Sequence, residues 1–223
     1  MINNKKVSVI IPARNEEGCI GAVIRQIPRP LVDEIVVVDG ASTDNTKKEA
    51  REAGARIIDQ AGRGYGGGVQ QGAAAATGDI FILMDSDGSH PPEYVPQLLA
   101  KVNEGYEYVM GSRYMAGARS DDDTFIRWTG NKVFTLLTNL FHGTGVTDSI
   151  YTYNAIPRDA FFKINAKSQG FEYCTEILVR AKKAGLRFAE VPVIEHARIA
   201  GDSKVNAFWH GLKILRMILR RYN

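Results

Sequence analysis

Short β-branched runs alternating with helically spaced apolar residues open the chain, and they constrain its fold more than any other feature. Val7–Ile11 is closed by Pro12, and Ile20, Val23, Ile24 and Ile27 then recur at helical spacing until Pro28 and Pro30. Ile35–Val38 ends at Asp39, Thr43 or Asp44 is placed to cap a helix running toward Gly54, and Arg56–Ile58 is a short third strand. Strands apolar at every position are covered on both faces, as parallel strands are by crossover helices. The βαβαβ order therefore predicts an α/β fold: a mostly parallel, nucleotide-binding type of sheet flanked by helices.

The next buried run, Ile80–Met84, stops abruptly at Asp85-Ser86-Asp87. Two carboxylates just past the carboxyl end of a parallel strand stand where open α/β sheets bind ligands. Carboxylate oxygens are hard ligands, so the matching guest is Mg²⁺ or Mn²⁺, completed by phosphate oxygens and water. A polar turn has the same spacing, because Asp is also a turn residue.

Between the third strand and this one lies Gly62-Arg63-Gly64-Tyr65-Gly66-Gly67-Gly68, followed by the alanine-rich helix Val69–Thr77. Glycines here would let backbone approach a ligand at a helix N-terminus, with Arg63 and Gly64 beside it. No lysine-bearing P-loop pattern is present, which argues against an NTPase.

Further along, Pro91–Asn103 reads as a helix, Glu107–Met110 as a strand, Met115–Asp123 as a mobile surface loop and Phe125–Phe141 as an amphipathic helix. Ser149–Ile156 looks extended, Phe171–Lys183 is a helix ended by Gly185, and Leu186–Val191 is a last strand. Glu172 and Glu176 share one helical face. In the tail, Phe208, Leu212, Leu215, Ile218 and Leu219 share a face, with Lys213, Arg216, Arg220 and Arg221 elsewhere. Such a basic amphipathic helix suits a membrane interface, its own domain or a second subunit.

The net charge of +3 is too small to argue for nucleic acid. Cys19 and Cys174 lie far apart and form no disulfide framework, which fits a reducing compartment. The N-terminus lacks the pattern of a signal peptide, and no apolar run approaches the ~18 residues that span a bilayer. The expected location is cytoplasmic, with peripheral contact to the inner face of a membrane open to the tail.

Four motifs stand in one order: Ile11-Pro12-Ala13-Arg14-Asn15-Glu16, Val38-Asp39-Gly40-Ala41-Ser42-Thr43-Asp44, the glycine loop and Asp85-Ser86-Asp87. With Ser89-His90-Pro91-Pro92-Glu93 and Gly111-Ser112-Arg113-Tyr114 they closely resemble family 2 glycosyltransferases of the GT-A fold, nearest to the dolichol- and polyprenyl-phosphate mannose synthase type. The resemblance covers nearly the whole chain. It implies a GT-A domain over residues 1–205 with a basic amphipathic helix over 206–223. It also implies an inverting, metal-dependent transfer of a hexose of the mannose or glucose class from a GDP- or UDP-linked donor to a polyprenyl phosphate.

By the same resemblance, Pro12, Arg14, Glu16, Arg63, Gly64 and Asp85 lie at the nucleotide, and Asp39 reads an N–H edge of uracil or guanine. Asp85, Asp87 and Ser89 hold the metal. Arg113, Arg127, Asn131, Arg198, Ser203 and Lys204 bind the acceptor phosphate, with Asp87, Arg113 and Glu176 in catalytic positions. Departures from the pattern are Gly40 where relatives carry a second Asp, Ser89 where they carry Gln, Asn131 where they carry Ser, and Thr152-Tyr153-Asn154 where they carry Gly-Phe-Arg. Two further readings follow: transfer to a hydroxyl acceptor with Asp148 or Glu176 as base, and a non-catalytic nucleotide-sugar binding subunit.

Overall fold

The structure, a computed structural model, describes residues 5–201 and 207–220. Its first half follows the alternation in the sequence: β1 (Val7–Ala13), α1 (Ile20–Gln26), β2 (Glu34–Asp39), α2 (Thr46–Glu52), β3 (Arg56–Asp59), α3 (Tyr65–Ala75), β4 (Ile80–Leu83) and α4 (Val95–Asn103). The second half adds β5 (Tyr108–Ser112), β6 (Arg119–Ser120), α5 (Phe125–His142), β7 (Asn154–Pro157), α6 (Arg158–Ile164), α7 (Tyr173–Lys183), β8 (Phe188–Pro192), β9 (Ile194–Glu195) and α8 (Ala207–Ile218).

Seven strands form one sheet in the order β3-β2-β1-β4-β7-β5-β8. All neighbours are parallel except β7, which runs antiparallel to both β4 and β5. The expected α/β architecture with a mostly parallel sheet and flanking helices is present. Alternation along the strands divides the core between its two faces. In β1 and β4, Val7, Val9, Ile11, Ile80 and Ile82 face the layer of α1 and α4, while Ile10, Phe81 and Leu83 face that of α3, α6 and α7. All are completely buried or nearly so. Burial of each such aliphatic side chain contributes roughly 1.5–3 kcal/mol.

The strand order reverses at β1, which lies between β2 and β4, and this creates the crevice at the carboxyl ends where α/β sheets bind ligands. Register aligns the edge: Ala13 stands opposite Asp39, and Ile10 opposite Leu83. The residues following β1, β2 and β4 thus emerge together.

Several local features differ from the sequence expectations. Helix α2 starts at Thr46, and Asp44 accepts the Thr46 amide from just outside the helix at 3.0 Å. Helix α3 already includes Gly66–Gly68. The Gly66 and Gly67 amides donate to the Gly170 and Gln169 carbonyls at 3.3 and 3.1 Å, so these N–H groups bind the chain itself. A Cβ on Gly66 would lie 2.3 Å from the Ser168 carbonyl oxygen, which makes glycine a packing requirement there. The loop at 115–123 is held by β6 pairing in parallel with β9. Helix α6 and the direction of β7 have no counterpart in the sequence reading.

Helix α5 is capped at its start by Thr124, whose hydroxyl accepts the Arg127 amide at 3.2 Å, and at its end by Gly143 in the left-handed region. Its buried residues are Thr135 and Thr138, while Ile126, Leu136 and Leu140 are exposed. Helix α8 packs on α5 and α7. It buries Ile214, Met217 and Ile218 and leaves Trp209 and Leu212 exposed, as is Leu219 just beyond it. His142 Nε2 joins the two helices by a 2.7 Å contact to the Ile218 carbonyl oxygen. The described part of the tail therefore packs against its own domain. The boundary expected at 205/206 lies outside the described residues, and among them no helix is long and apolar enough to cross a membrane.

Candidate active site

A cavity of about 450 Å³ opens at the carboxyl edge of β1, β2 and β4. Pro12, Arg14 and Glu16 enter it from the end of β1, Gly40 from β2, and Asp85, Ser86 and Asp87 from β4. Arg63, Gly64 and Tyr65 close one side at the start of α3. Six of the seven residues expected at the nucleotide line this cavity. The seventh, Asp39, is buried immediately behind Gly40.

Asp39 Oδ2 accepts the Ser42 amide at 3.1 Å and lies 3.4 Å from Lys47 Nζ. Its Oδ1 is buried with no hydrogen-bond partner. A buried acceptor without a donor is costly, so it fits a ligand that brings an N–H.

The two carboxylates after β4 occupy different environments. Burial, reinforced by the negative charge of Asp87, pushes the Asp85 carboxyl up to about 7. Its Oδ1 also lacks a partner. Burial opposes ionisation of Asp87 too, but the Ser89 amide and hydroxyl and then Arg198 outweigh it and hold the group below its ordinary value. The Ser89 amide donates to Asp87 Oδ1 at 3.0 Å. Ser89 itself is almost buried, and its carbonyl oxygen accepts the Tyr151 hydroxyl at 3.3 Å.

Among the described residues, no three or more His, Cys, Asp or Glu side chains are gathered as a cage for a metal ion. Two adjacent carboxylates, one with an orphaned buried oxygen, nevertheless fit Mg²⁺ or Mn²⁺ of the kind completed by phosphate oxygens and water. Ser89 supports Asp87 from behind, through the turn.

His90 anchors this turn. It is buried, stacks on Tyr153 at 5.1 Å and meets the Tyr151 ring edge-on at 4.5 Å. Burial pushes its imidazole down to about 4, so the ring is neutral at neutral pH.

The expected acceptor residues separate into two places. Arg113 is buried, and its guanidinium forms a bidentate pair with Asp148: Nε to Oδ2 at 2.7 Å and Nη2 to Oδ1 at 3.1 Å. Its Nη1 reaches Glu195 at 3.3 Å, and the group lies 4.7 Å from the Tyr151 ring centre. These partners occupy the fork that the sequence reading assigned to an acceptor phosphate. Arg127 pairs with Asp122 at 2.7 Å, and Asn131 donates to the Tyr114 hydroxyl at 2.9 Å. A second cavity of about 470 Å³ lies here, lined among others by Arg113, Tyr114, Arg119, Trp128 and Lys132.

Arg198 lies instead in the first cavity, against Glu16 and Asp87, and so on the donor side of the sheet edge. Ser203 and Lys204 lie outside the described residues.

Glu176 is buried in α7. Its Oε2 accepts the Lys167 and Ser168 amides at 3.0 and 2.6 Å, and its Oε1 accepts Arg180 Nε at 2.6 Å. Burial opposes ionisation, yet these donors hold its pKa below the usual value. Its carboxylate fastens the 167–170 segment that packs against the glycines of α3.

Five residues of the first cavity were missed by sequence reasoning: Gln60, Gly170, Phe171, His210 and Lys213. Gln60 follows β3 and donates to the Gly64 carbonyl at 2.8 Å, while Phe171 and His210 meet edge-on at 5.8 Å. The basic character of the tail was the one available signal, and it pointed to Lys213 without locating it at this cavity.

Comparison with known proteins identifies the family and the fold. The family described as "Glycosyl transferase family 2" matches residues 8–164. A protein of Haloferax volcanii named "Dolichyl-phosphate hexose transferase" is 33% identical over 218 residues, covering 96% of this chain and 92% of its own length. The "Dolichol-phosphate mannosyltransferase" of Pyrococcus furiosus is 30% identical, with coverage of 90% of this chain and 59% of that protein. Among solved structures, glucosyl-3-phosphoglycerate synthase from Mycobacterium tuberculosis in complex with Mg²⁺ and UDP superposes with a TM-score of 0.77 at 25% identity. It covers 97% of this chain and 79% of that one. The fold is the GT-A fold of these enzymes.

Proposed function

The chain belongs to glycosyl transferase family 2, and we propose that it passes a hexose from a nucleoside diphosphate sugar to the phosphate of a polyprenyl phosphate. The observation that carries this reading is the acidic turn Asp85-Ser86-Asp87, set in one cavity with Arg14, Arg63, Arg198 and Lys213. Carboxylates suit a divalent cation, and the four basic side chains suit diphosphate oxygens.

In this reading Asp85 and Asp87 would hold Mg²⁺ or Mn²⁺, a choice supported by the Mg²⁺ and UDP in the mycobacterial synthase structure. When bound, the cation neutralises charge on the departing nucleoside diphosphate as a Lewis acid. Asp39 Oδ1 accepts the N–H edge of uracil or guanine behind Gly40, and Arg14 and Arg63 flank the cavity mouth. Catalysis is then mostly orientation and fixed charge. Attack on the face of C1 opposite the diphosphate inverts the sugar.

A phosphate acceptor is already ionised at neutral pH and needs little help from a base. The two carboxylates that could serve a hydroxyl acceptor are both engaged: Asp148 with Arg113, and Glu176 with two amides and Arg180. That engagement favours the phosphate over the hydroxyl. The cavity beside Tyr114, with Arg119, Lys132 and Arg113 in its lining, offers the acceptor phosphate a basic site, and Arg127 and Asn131 stand at its flank. The names of the Haloferax and Pyrococcus relatives support the same acceptor class. The exposed apolar residues of α5 and α8 support contact with the membrane that such an acceptor occupies.

Radiolabelled UDP- and GDP-hexoses supplied with Mn²⁺, with polyprenyl phosphate or hydroxyl sugars as acceptors, test the proposal. The expected product is labelled lipid phosphate that partitions into organic solvent. Transfer to hydroxyl acceptors alone would overturn it.

A further inference from the structure

Resting on that reading of Asp85 and Asp87, we propose that Arg198 occupies the cation's place on Asp87 until the donor arrives, and that arrival of the cation releases the strap formed by residues 198–201. Arg198 Nη2 lies 3.0 Å from Asp87 Oδ2, and its Nη1 lies 2.8 Å from Glu16 Oε2. One guanidinium thus ties the turn after β4 to the loop after β1, although the sequence separates it from Glu16 by the length of the sheet.

The rest of the strap is fastened to the same two loops. The Ile199 amide donates to the Asp87 carbonyl oxygen at 2.9 Å. The Ile199 side chain covers Gly88, where a Cβ would fall 2.6 Å from its Cδ1; Gly88 has a φ of +90°, so glycine is required there on both counts. The Cys19 thiol reaches the Ala200 carbonyl oxygen at 3.4 Å, and Arg198 Nη1 approaches the same oxygen at 3.3 Å.

Competition follows from elementary electrostatics. Asp87 Oδ1 already accepts the Ser89 amide and its Oδ2 is taken by Arg198, so a dication drawn to Asp87 meets a guanidinium at contact distance, and the two cations repel. Asp87 is satisfied by Arg198, whereas Asp85 keeps a buried oxygen without a partner. The turn therefore presents one open carboxylate and one guarded one. A cation bound first at Asp85 would compete with Arg198 for Asp87 Oδ2. The strap then loses its charged clasp on Asp87, and its remaining fastening, the Ile199 amide on the Asp87 carbonyl, opens more often.

Mn²⁺ binding to the full chain, followed by electron paramagnetic resonance without nucleotide, tests this in the wild type and in Arg198→Met, Arg198→Lys and Asp87→Asn. Competition predicts about tenfold tighter Mn²⁺ binding in Arg198→Met, equivalent to about 1.4 kcal/mol, with Arg198→Lys between it and the wild type. Equal or weaker binding in Arg198→Met, with Asp87→Asn still weakened, overturns the inference and leaves the metal site standing. Binding indifferent to Asp87→Asn overturns the metal site and the inference together. A readout on the unaltered chain guards against a variant that does not fold: hydrogen exchange at the Ile199 amide. Exchange should accelerate severalfold when Mn²⁺ is added, and unchanged or slower exchange overturns the release.

Discussion

His90 accepts the backbone N–H of Asp85 through Nδ1 at 3.0 Å, which leaves its proton on Nε2, 3.5 Å from the Asp85 carboxylate. The imidazole thereby sets both the backbone and the side chain of the first acidic residue. Substitution His90→Ala deprives a part-buried amide of its acceptor and removes a ring packed between Tyr151 and Tyr153. The expected cost is about 3 kcal/mol of stability. Mn²⁺ binding should weaken as well, and a variant equal to wild type in both urea denaturation and Mn²⁺ titration would contradict this role.

The Asp85 carboxyl carries its own pH signature. Its folded pKa of about 7 lies above the value of about 3.9 in an unfolded chain. Its contribution to stability is therefore complete below the unfolded value and is lost as pH rises through 7. His90, lowered to about 4, acts with the opposite sign: its contribution is present above about 6.5 and is lost as pH falls through 4. The difference between Asp85→Asn and wild type isolates the first group. In chelator, Asp85→Asn should gain on wild type by about 2 kcal/mol between pH 5 and pH 8. Urea denaturation at the two pH values measures it, and a constant difference would refute the assignment.

Arg113 and Asp148 form a buried, bidentate pair, so removing one partner strands the other charge. Arg113→Met should cost about 3–5 kcal/mol, a fall in Tm of roughly 10 °C for a chain of this size. Arg127→Met, at an exposed pair with Asp122, should leave Tm nearly unchanged. Equal melting temperatures for the two variants would remove Arg113 from its supporting role.

Gly66→Ala places a methyl group against the Ser168 carbonyl and the Tyr173 ring. We expect a loss of about 1–3 kcal/mol, together with weaker UDP binding, because the displaced 168–170 segment leads into Gly170 and Phe171 of the donor cavity. Calorimetric titration with UDP and Mn²⁺ checks the second effect. Full UDP affinity in a destabilised variant would show that the segment only supports α3.

Leu140 and Leu219 are 73% and 56% exposed, on α5 and just beyond α8. Replacing both with Glu should leave Tm within about 2 °C and reduce co-sedimentation with anionic vesicles. Undiminished co-sedimentation would exclude these two helices as the membrane-facing surface.

The part of the donor cavity at the ends of β1, β2 and β4 was legible in the sequence, because Pro12, Arg14, Glu16, Gly40, Asp85 and Asp87 lie at or just past the ends of buried strands, whereas Phe171, His210 and Lys213 follow none. Val7–Ile11, Ile35–Val38 and Ile80–Met84 announce their strands by composition, and parallel pairing then brings their ends together. The acceptor half was less so. Folding brings Asp148 and Glu195 to Arg113, and no local pattern records that meeting. Nor does any local pattern place Arg198 in the first cavity, because Glu16 and Asp87 are its neighbours only in space. The glycines of α3 suggested a ligand cradle, but their partner is the chain at Ser168–Gly170. The direction of β7 was invisible because an extended apolar segment has the same alternation whichever way it runs.

That reversed strand has a practical consequence. Residues 113–153 leave the sheet at Ser112 and return at Asn154, on paired strands, with the Gly111 amide bonded to the Tyr153 carbonyl at 2.8 Å. Their two ends are thus one strand spacing apart, about 4.8 Å. The segment is a cassette with matched ends, but one that also carries Tyr151 and Tyr153 against His90 and Thr152 against Tyr65, so a chimera made at these two joints keeps the donor site only if those three positions travel unchanged.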